Sequence, residues 1–456
     1  MRIERDMVGS QAIDENVYYG LQSLRAKENF HITGRKQSKR FTSSLAEIKK
    51  AAALVNAETG KLPAHIRDAI VQACDEILAG QFADQFITDP IQGGAGTSYN
   101  MNMNEVVANR AIEILGGQKG DYTIVHPNDH VNMSQSTNDV IPTAGKMTVL
   151  KLMDGLIEQM ERLAVALGAK EKEFDHILKM GRTQMQDAVP IRLGQEFGAY
   201  RSMVERDLVR MKRFPDELKY VNMGGTAIGT CINADPEYVK NIVPRLSEIS
   251  GLKLESAGNL IDATQNVDCF VAVSAVLRTS ALNLSKMAND LRMMSSGPRT
   301  GFHEINLPPR QNGSSIMPGK VNPVIPEVVS QVAFNIVGND VTISMAAEAG
   351  QLELNAFEPV IFYNLFGSIK SLTGAVRTLV DNCISGITAN EAHCEDLVNH
   401  SVGIITALCP YIGYTLAADI AKAAVAKNVS VRDELVARNI LTAEEIDRYL
   451  NPYAMT

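Results

Sequence analysis

Apolar residues recur at the spacing of an α-helix over long stretches of the chain. Between Val149 and Leu167 they follow alternating steps of four and three residues, which places them on one side of a helix. A second set, Leu150, Ile157 and Ala164, lies at steps of seven on a neighbouring face. Because a helix that is apolar on two faces must be covered on two sides, we expect it inside a bundle or against another subunit.

Three further stretches carry the same pattern. Their apolar positions run from Leu193 to Met211, from Phe270 to Met294 and from Val329 to Ile343. The middle stretch makes about seven helical turns, roughly 35 Å of helix. In the last stretch Asn339 is a polar residue on the apolar face. There it would fix the register between packed helices or contact water at their interface. Since little strand-type alternation separates these stretches, the pattern predicts an all-α core.

Composition favours a cytoplasmic enzyme of several domains. A chain of 456 residues is too long for a single small core. The net charge of -8 argues against non-specific nucleic-acid binding, although a few local cations can still bind a small anionic substrate. The first ten residues are charged, so we expect no signal peptide, and the absence of any apolar run of about 18 residues predicts no membrane span.

The cysteines and histidines give no sign of a metal or redox centre. None of the six cysteines forms a CxxC pair, and the chain has no HExxH motif. We therefore expect reduced cysteines, no metal ligands and no organic cofactor, while activation by a divalent cation stays open.

Turn signals and helix lengths change along the chain. Residues 1–139 mix turn signals with short helical stretches, residues 140–392 hold the long ones, and the helices shorten after that. The pattern therefore predicts an N-terminal domain (1–139), a central helical domain (140–392) and a small C-terminal helical domain (393–456).

Polar segments rich in small hydroxyl and amide side chains interrupt the helical stretches. They are GTSYNMN (96–102), SQSTND (134–139), GRTQMQDAVP (181–190) and GSSIMPGKVNP (313–323). Hydroxyls, amides and one ammonium group give an anion many donors without an opposing carboxylate. Such segments are suited to binding a carboxylate substrate.

The fourth segment has several possible interpretations. A phosphate-binding loop needs four residues between its glycines and a Ser or Thr after the lysine, whereas five residues separate Gly313 from Gly319 and valine follows Lys320. A dinucleotide site is disfavoured because no GxGxxG follows a strand. A plain surface turn would explain the Gly, Ser and Pro, but it explains the apolar pair Ile316 and Met317 less well.

The string GSSIMPGKVNP resembles the signature of the fumarase/aspartase superfamily, and the other polar segments are similar to superfamily segments in the same order. NPVIPEVVSQVAF, GGAGTSYNMN and NDHVNMSQSTND resemble the aspartate ammonia-lyase branch rather than the fumarases. The resemblance runs from Arg2 to about Pro452. It implies a three-domain all-α protein with a central bundle of five long helices. It also implies a homotetramer with a shared helical core, whose active sites each take segments from three chains.

The resemblance further implies a role for each polar segment. Ser314 resembles the general base that removes a proton from C3 of L-aspartate, which leads through an aci-carboxylate to fumarate and ammonia. Lys320 and Asn322 resemble groups that hold the substrate or the base, and Ser315 would lend its N–H or hydroxyl. The remaining substrate-binding set is Thr97, Ser136, Thr137, Asn138, Thr183 and Gln184.

The chemistry makes specific demands on these groups. A serine hydroxyl is a weak base unless its pKa is lowered, so we expect backbone N–H groups of residues 313–319 and the Lys320 ammonium to stabilise its alkoxide. The aci-carboxylate needs fixed donors, worth roughly 3–4 kcal/mol each, as in an oxyanion hole. The glycines of the loop would let it close over the substrate and exclude water.

Three hypotheses follow. Aspartate ammonia-lyase is preferred, partly because fumarases carry a histidine where this chain has Gln184. The second is a fumarate hydratase or another lyase with a related C4 or adenylated substrate. The third is a catalytically silent protein on the same scaffold, which the intact Ser314, Lys320 and Asn322 disfavour. The chain stops sooner than aspartases usually do, at Thr456, and we expect this to affect regulation more than chemistry.

Overall fold

The computed structural model describes residues 1–456, apart from the side chain of Pro452. The first part of the chain forms β1 (Arg2–Arg5), β2 (Ser10–Ile13), α1 (Leu21–Asn29), α2 (Lys39–Glu58), α3 (Ala64–Leu78), α4 (Thr97–Ile114) and a π-helical turn (Pro127–Val131). The next part forms α5 (Thr137–Glu173), β3 (Leu178–Thr183), β4 (Gln186–Arg192), α6 (Leu193–Met211), α7 (Phe214–Leu218), β5 (Tyr220–Val221), α8 (Pro236–Ser250), β6 (Glu255–Ser256) and α9 (Leu260–Gln265).

The second half of the chain is also mainly helical. It continues with α10 (Asp268–Met294), β7 (Ile305–Asn306), α11 (Val324–Glu348), α12 (Glu358–Asn382), a 3₁₀ turn (Ile384–Gly386), β8 (Thr388–Ala389) and α13 (Glu391–His400). It ends with a 3₁₀ helix (Val402–Leu408), α14 (Cys409–Ile412), α15 (Tyr414–Lys427), α16 (Val431–Arg438), α17 (Ala443–Tyr449) and a 3₁₀ turn (Pro452–Met455). The strands pair only in four two-stranded sheets: β1–β2, β3–β4, β5–β6 and β7–β8.

The apolar stripes lie on buried helix faces, as the sequence predicts. The six positions from Val149 to Leu167 on α5 are at most 3% exposed, and the eight from Phe270 to Met294 on α10 are at most 5% exposed. Asn339 on α11 donates to the Ser368 hydroxyl of α12 (3.0 Å), which accounts for a polar residue on that stripe. The predicted all-α fold is confirmed, and the predicted apolar stripes lie on α5, α6, α10 and α11. The three-domain division stays a prediction.

By its contacts the chain divides into two compact units. Unit 1 contains Met1–Ile157, Arg210–Arg278 and Asn335–Ser371. Its core includes an aromatic cluster in which the Phe362 ring lies 5.0 Å from that of Phe270 and 5.7 Å from that of Phe41. A Cβ at Gly145 would lie 2.2 Å from the Phe362 ring, so glycine lets α5 and α12 approach closely.

Unit 2 contains Glu158–Val209, Thr279–Phe334 and Leu372–Thr456. A hydrophobic cluster joins the C-terminal helices to the hairpin formed by β3 and β4. Met180 of β3 packs there with residues such as Leu408 and Ile420. A Cβ at Gly403 would lie 2.1 Å from the Ala188 carbonyl oxygen of β4, so the 3₁₀ helix that follows α13 lies directly on the hairpin.

Candidate active site

Backbone contacts close the loop 313–323 upon itself. The N–H of Gly313 donates to the Lys320 carbonyl (2.8 Å), and the Asn322 side-chain amide donates to the Gly313 carbonyl (2.7 Å). A Cβ at Gly313 would lie 2.3 Å from the Lys320 carbonyl oxygen, so only glycine fits without moving the chain. Gly319 has φ +83°, in the left-handed region that glycine tolerates.

Ser314 lies inside this turn, with its hydroxyl against backbone donors. Its Oγ accepts from the N–H of Ile316 (3.1 Å) and from the N–H of Met317 (2.9 Å). Two fixed N–H groups stabilise an alkoxide better than a neutral hydroxyl. The two backbone donors therefore favour ionisation of the Ser314 hydroxyl. In the same loop Ser315 and Lys320 are exposed.

Thr183 and Gln184 lie at the tip of the β3–β4 hairpin. Gln184 and Met185 form its two-residue turn with φ of 53° and 65°, a conformation that Asn and Gly usually supply. Thr183 and Gln184 are both exposed. Non-glycine residues held in left-handed conformations cluster at functional sites, which makes this hairpin tip a candidate for substrate contact.

A buried ion cluster holds the base of the hairpin. The Glu304 carboxylate is fully buried, 2.6 Å from Arg182 Nη1 and 3.1 Å from Lys179 Nζ. Lys179 Nζ also lies 2.9 Å from the Glu196 carboxylate. Although burial lowers the pKa of Lys179, the two carboxylates outweigh it and raise that pKa. Glu304 immediately precedes β7, so the cluster fixes the hairpin to the segment that leads towards loop 313–323.

Thr97 is the first residue of α4. Its hydroxyl donates to the Gly94 carbonyl (2.8 Å), and its side chain is exposed. The three residues before it, 94–96, all have positive φ, between 56° and 88°. This strained turn directs the chain into α4, so that Thr97 lies at the helix N-terminus, where donors suit an anion.

Ser136, Thr137 and Asn138 lie at the N-terminus of α5 and are half-buried. The side-chain amide of Asn138 donates to the Ala227 carbonyl (2.7 Å), and the N–H of Asn138 donates to the Ser136 hydroxyl (3.3 Å). These residues therefore form a fixed turn with hydroxyl and amide groups at the start of a long helix.

Lys49 links two of the predicted segments, and the sequence analysis missed it. It is fully buried, and its ammonium donates to the side-chain oxygens of Asn100 (2.7 Å), Asn132 (2.9 Å) and Gln135 (2.8 Å). Burial lowers the pKa of Lys49 to about 7, against the opposing effect of Asp139. A signal was available, because Lys49 occurs at helical spacing among the apolar residues of α2.

The predicted residues thus form two groups. Unit 1 holds Thr97, Ser136, Thr137 and Asn138, whose segments meet around Lys49. Unit 2 holds Thr183, Gln184, Ser314, Ser315, Lys320 and Asn322. The second group is divided between the hairpin tip and the loop.

Neither a metal site nor a membrane-spanning helix is found among the residues that the structure describes. No group of three or more His, Cys, Asp or Glu side chains among them is placed to hold a metal ion. Across the same residues, every helix is too short or too polar to cross a membrane.

Comparison with known proteins assigns the chain to a family. Residues 9–338 match the family described as Lyase, and residues 404–456 match the family described as Fumarase C C-terminus. The chain belongs to the fumarase/aspartase superfamily.

Two aspartate ammonia-lyases are similar to this chain over nearly its full length. The aspartate ammonia-lyase of Bacillus subtilis (strain 168) is 55% identical over 100% of this chain and 96% of that protein. The aspartate ammonia-lyase of Escherichia coli (strain K12) is 47% identical over 98% of this chain and 94% of that protein.

Solved superfamily structures share the fold. The fumarate lyase:delta crystallin from Brucella melitensis bound to cobalt has a TM-score of 0.97 and 48% identity, covering 100% of this chain and 99% of its own. The class II fumarase from Schistosoma mansoni has a TM-score of 0.94 and 34% identity, covering 99% and 98%. The superfamily and the lyase class predicted from the sequence are confirmed, whereas the roles of individual residues stay predictions.

Proposed function

We propose that this lyase is an aspartate ammonia-lyase, which breaks the C2–N bond of L-aspartate to give fumarate and ammonia. The Bacillus subtilis and Escherichia coli proteins that share about half of its residues over nearly the whole chain carry that name, whereas the class II fumarase that matches over the same length has 34% identity. The observation that carries the chemistry is the Ser314 hydroxyl, which accepts two backbone N–H groups of its own turn.

The first step is removal of the C3 proton by the Ser314 alkoxide. The C–H electron pair moves into the adjacent carboxylate, which becomes a doubly charged aci-carboxylate. This charge requires fixed donors in place before the reaction begins. Hydroxyl and amide groups of the predicted substrate-binding residues supply them, because they donate without bringing an opposing carboxylate.

The second step is departure of the amine. The electron pair returns from the aci-carboxylate to form the C2–C3 double bond while the C2–N bond breaks. Because the amino group of the zwitterion already carries three protons, it leaves as neutral ammonia and needs no further general acid. Ammonia then takes the proton from Ser314, which regenerates the alkoxide and gives ammonium and fumarate.

The exposed apolar residues of the loop support closure over the substrate. Ile316 is 83% exposed and Met317 is 49% exposed, although both side chains are apolar. Covering them when substrate binds would remove apolar surface from water and exclude water from the reacting carbon. Loop closure is therefore part of the proposal.

The decisive assay follows the absorbance of fumarate with L-aspartate and, separately, with malate. We expect fumarate from aspartate and none from malate. Ser314→Ala should lower kcat by at least about a thousandfold, since it removes the base. Ser202→Ala, an exposed hydroxyl on α6, is the matched control and should keep full activity. Turnover of malate alone would indicate a hydratase, and an active Ser314→Ala enzyme would refute the assignment of the base.

We propose further that the enzyme is a homotetramer. On α11, Val341 is 56% exposed and Met345 is 68% exposed, one helical turn apart on the same face. Leu352, which follows α11, is 84% exposed. Large apolar side chains grouped in this way are typical of an oligomer contact. Val341→Glu should therefore reduce the molecular mass in sedimentation equilibrium, whereas Tyr414→Glu on α15, also at an exposed position, should not.

If each site combines residues from different chains, tetramers that contain two different inactive variants should regain some activity. Thr97→Ala and Ser314→Ala should each be inactive alone. If a site takes Thr97 from one chain and Ser314 from another, co-expression of the two variants gives some sites with both residues intact, and activity returns in part. Absence of any recovery in verified hybrid tetramers would show that Thr97 and Ser314 of each site come from the same chain.

Independence from metals and organic cofactors remains a prediction, as does location in the cytoplasm. Activity after exhaustive treatment with a chelator, followed by addition of Mg²⁺, tests the first. Retention of turnover after chelation is the expected result, and an increase on adding Mg²⁺ would show activation by a divalent cation.

A further inference from the structure

Asp139 has more backbone donors than its place at the start of α5 requires. It is fully buried, and one carboxylate oxygen accepts from the N–H of Ser136 (2.9 Å), as the third residue of a helix commonly does. The other oxygen accepts from the N–H groups of Gly224 and Thr226, both at 3.1 Å. Helix capping explains the first bond but not the other two.

Residues 222–234 supply those two donors. This segment makes further hydrogen bonds to the turn at the start of α5. The Asn138 side chain donates to the Ala227 carbonyl (2.7 Å), and the Asn222 side chain donates to the Asn138 carbonyl (3.0 Å). Donors and acceptors thus run in both directions between two segments more than 80 residues apart in sequence. The turn is therefore fixed by tertiary contacts and not by α5 alone.

The 222–234 segment has little freedom to move. Thr226, Cys231 and Asn233 have φ between 57° and 63°, a left-handed conformation that non-glycine residues adopt only where the surroundings impose it. A Cβ at Gly229 would lie 2.4 Å from the backbone nitrogen of Ile261, so the segment is pressed against α9. The Thr226 hydroxyl is buried and has no hydrogen-bond partner among the described residues. Left-handed non-glycine residues and an unpaired buried hydroxyl both cost free energy, which is typical of a segment retained for function.

We propose that Asp139 is a positioning residue: together with residues 222–234, it holds Ser136, Thr137 and Asn138 in the direction that the substrate carboxylate requires. The inference rests on the proposed function, because it assumes that the turn binds a carboxylate. Donors that are fixed before binding lose little conformational entropy when the anion binds, so the anion binds more tightly. Burial raises the pKa of Asp139 to about 7, and the bonds from the three N–H groups oppose this rise.

The test replaces Asp139 by Asn, which keeps one acceptor oxygen and replaces the other by an NH₂ group that cannot accept from a backbone N–H. We expect kcat/KM for aspartate to fall by about tenfold to a hundredfold, the range for losing a buried hydrogen bond to a charged group. The inhibition constant of succinate, an unreactive dicarboxylate, should rise by a similar factor. Asp154→Asn, an exposed aspartate on the same helix, is the matched control and should change neither quantity.

A second variant approaches the turn from the other segment. Asn222→Ala removes the donor to the Asn138 carbonyl and should change the same two quantities in the same direction. All assays are run well below the unfolding temperature, on protein with a wild-type circular dichroism spectrum and assembly size. If Asp139→Asn does not fold, Asn222→Ala decides the question.

The outcomes separate this inference from the proposed function. If the wild-type enzyme makes no fumarate from aspartate, the proposed function fails, while succinate affinity measured by calorimetry still tests the role of Asp139. If a folded variant keeps both kcat/KM and succinate affinity within about threefold of wild type, the positioning role is refuted. Loss of stability alone, with unchanged substrate constants, would show that Asp139 is only structural.

Discussion

Gly313→Ala tests whether the catalytic turn must keep its present shape. The added Cβ would lie 2.3 Å from the Lys320 carbonyl oxygen, and ordinary contact begins near 3.4 Å, so the carbonyl must retreat by about 1.1 Å. The same carbonyl accepts the N–H of Gly313 at 2.8 Å, so this movement breaks the bond that closes the loop. A displacement of about 1 Å at a reacting group costs roughly a hundredfold in rate. We therefore expect kcat/KM to fall about a hundredfold.

The effect on folding should be much smaller. The loop is largely exposed, so an overpacking cost of about 1–3 kcal/mol is relieved locally and does not spread through the core. Fumarate release from aspartate measures activity, and urea unfolding measures stability. Gly374→Ala on α12, where a new Cβ meets nothing within 4 Å, is the control and should be fully active. A Gly313→Ala enzyme within about threefold of wild type would refute the reasoning.

Three further predictions concern stability, measured by urea unfolding at fixed protein concentration. Lys49→Met leaves the side-chain oxygens of Asn100 and Gln135 without their donor, whereas the Asn132 oxygen keeps the amides of Asn100 and Asn104 as donors. The unfolding free energy should fall by about 2 kcal/mol, since each unpaired group costs about 1–3 kcal/mol and loss of the buried ammonium offsets part of this; equal stability would contradict it. Burial raises the pKa of Glu358 from 4.5 to about 8, so between these values the folded state keeps a proton that the unfolded state has lost, and this residue makes stability fall as pH rises. Glu358→Gln should therefore gain stability relative to wild type from pH 5 to pH 8, and a constant difference would disprove the shift. Gly145→Ala should cost about 1–3 kcal/mol because its Cβ would lie 2.2 Å from the Phe362 ring, and a neutral effect would show that α5 and α12 separate freely.

The candidate site was only partly predictable from the sequence. The signature string located Ser314, but its two backbone donors depend on how the turn from Gly313 to Lys320 folds. The sequence predicts only a polar segment where Thr183 lies in a hairpin. Its turn residues, Gln184 and Met185, are not those that usually mark a two-residue hairpin, so no local signal identified it.

Charged residues inside the core were missed for a different reason. A lysine or aspartate in a helical stretch normally faces solvent, and nothing local distinguishes Asp139 from that majority. For Lys49 the one local signal is its spacing among the apolar residues of α2, which does not show what the ammonium binds. Their acceptors and donors come from remote segments, such as Asn132 for Lys49 and Gly224 for Asp139. Only the assembled chain shows that each charge is satisfied.

The sequence by itself determined the helical fold, the buried faces of α5, α6, α10 and α11, and the family. This was possible because the 3.6-residue period and a contiguous motif are local properties of the chain. The tertiary structure alone decided which polar groups meet: Lys49 with residues 100 and 135, Asp139 with residues 224 and 226, and Glu304 with the base of the hairpin. Hydrogen bonds and ion pairs act over about 3 Å, so they depend on the final distance between atoms and not on their separation in sequence.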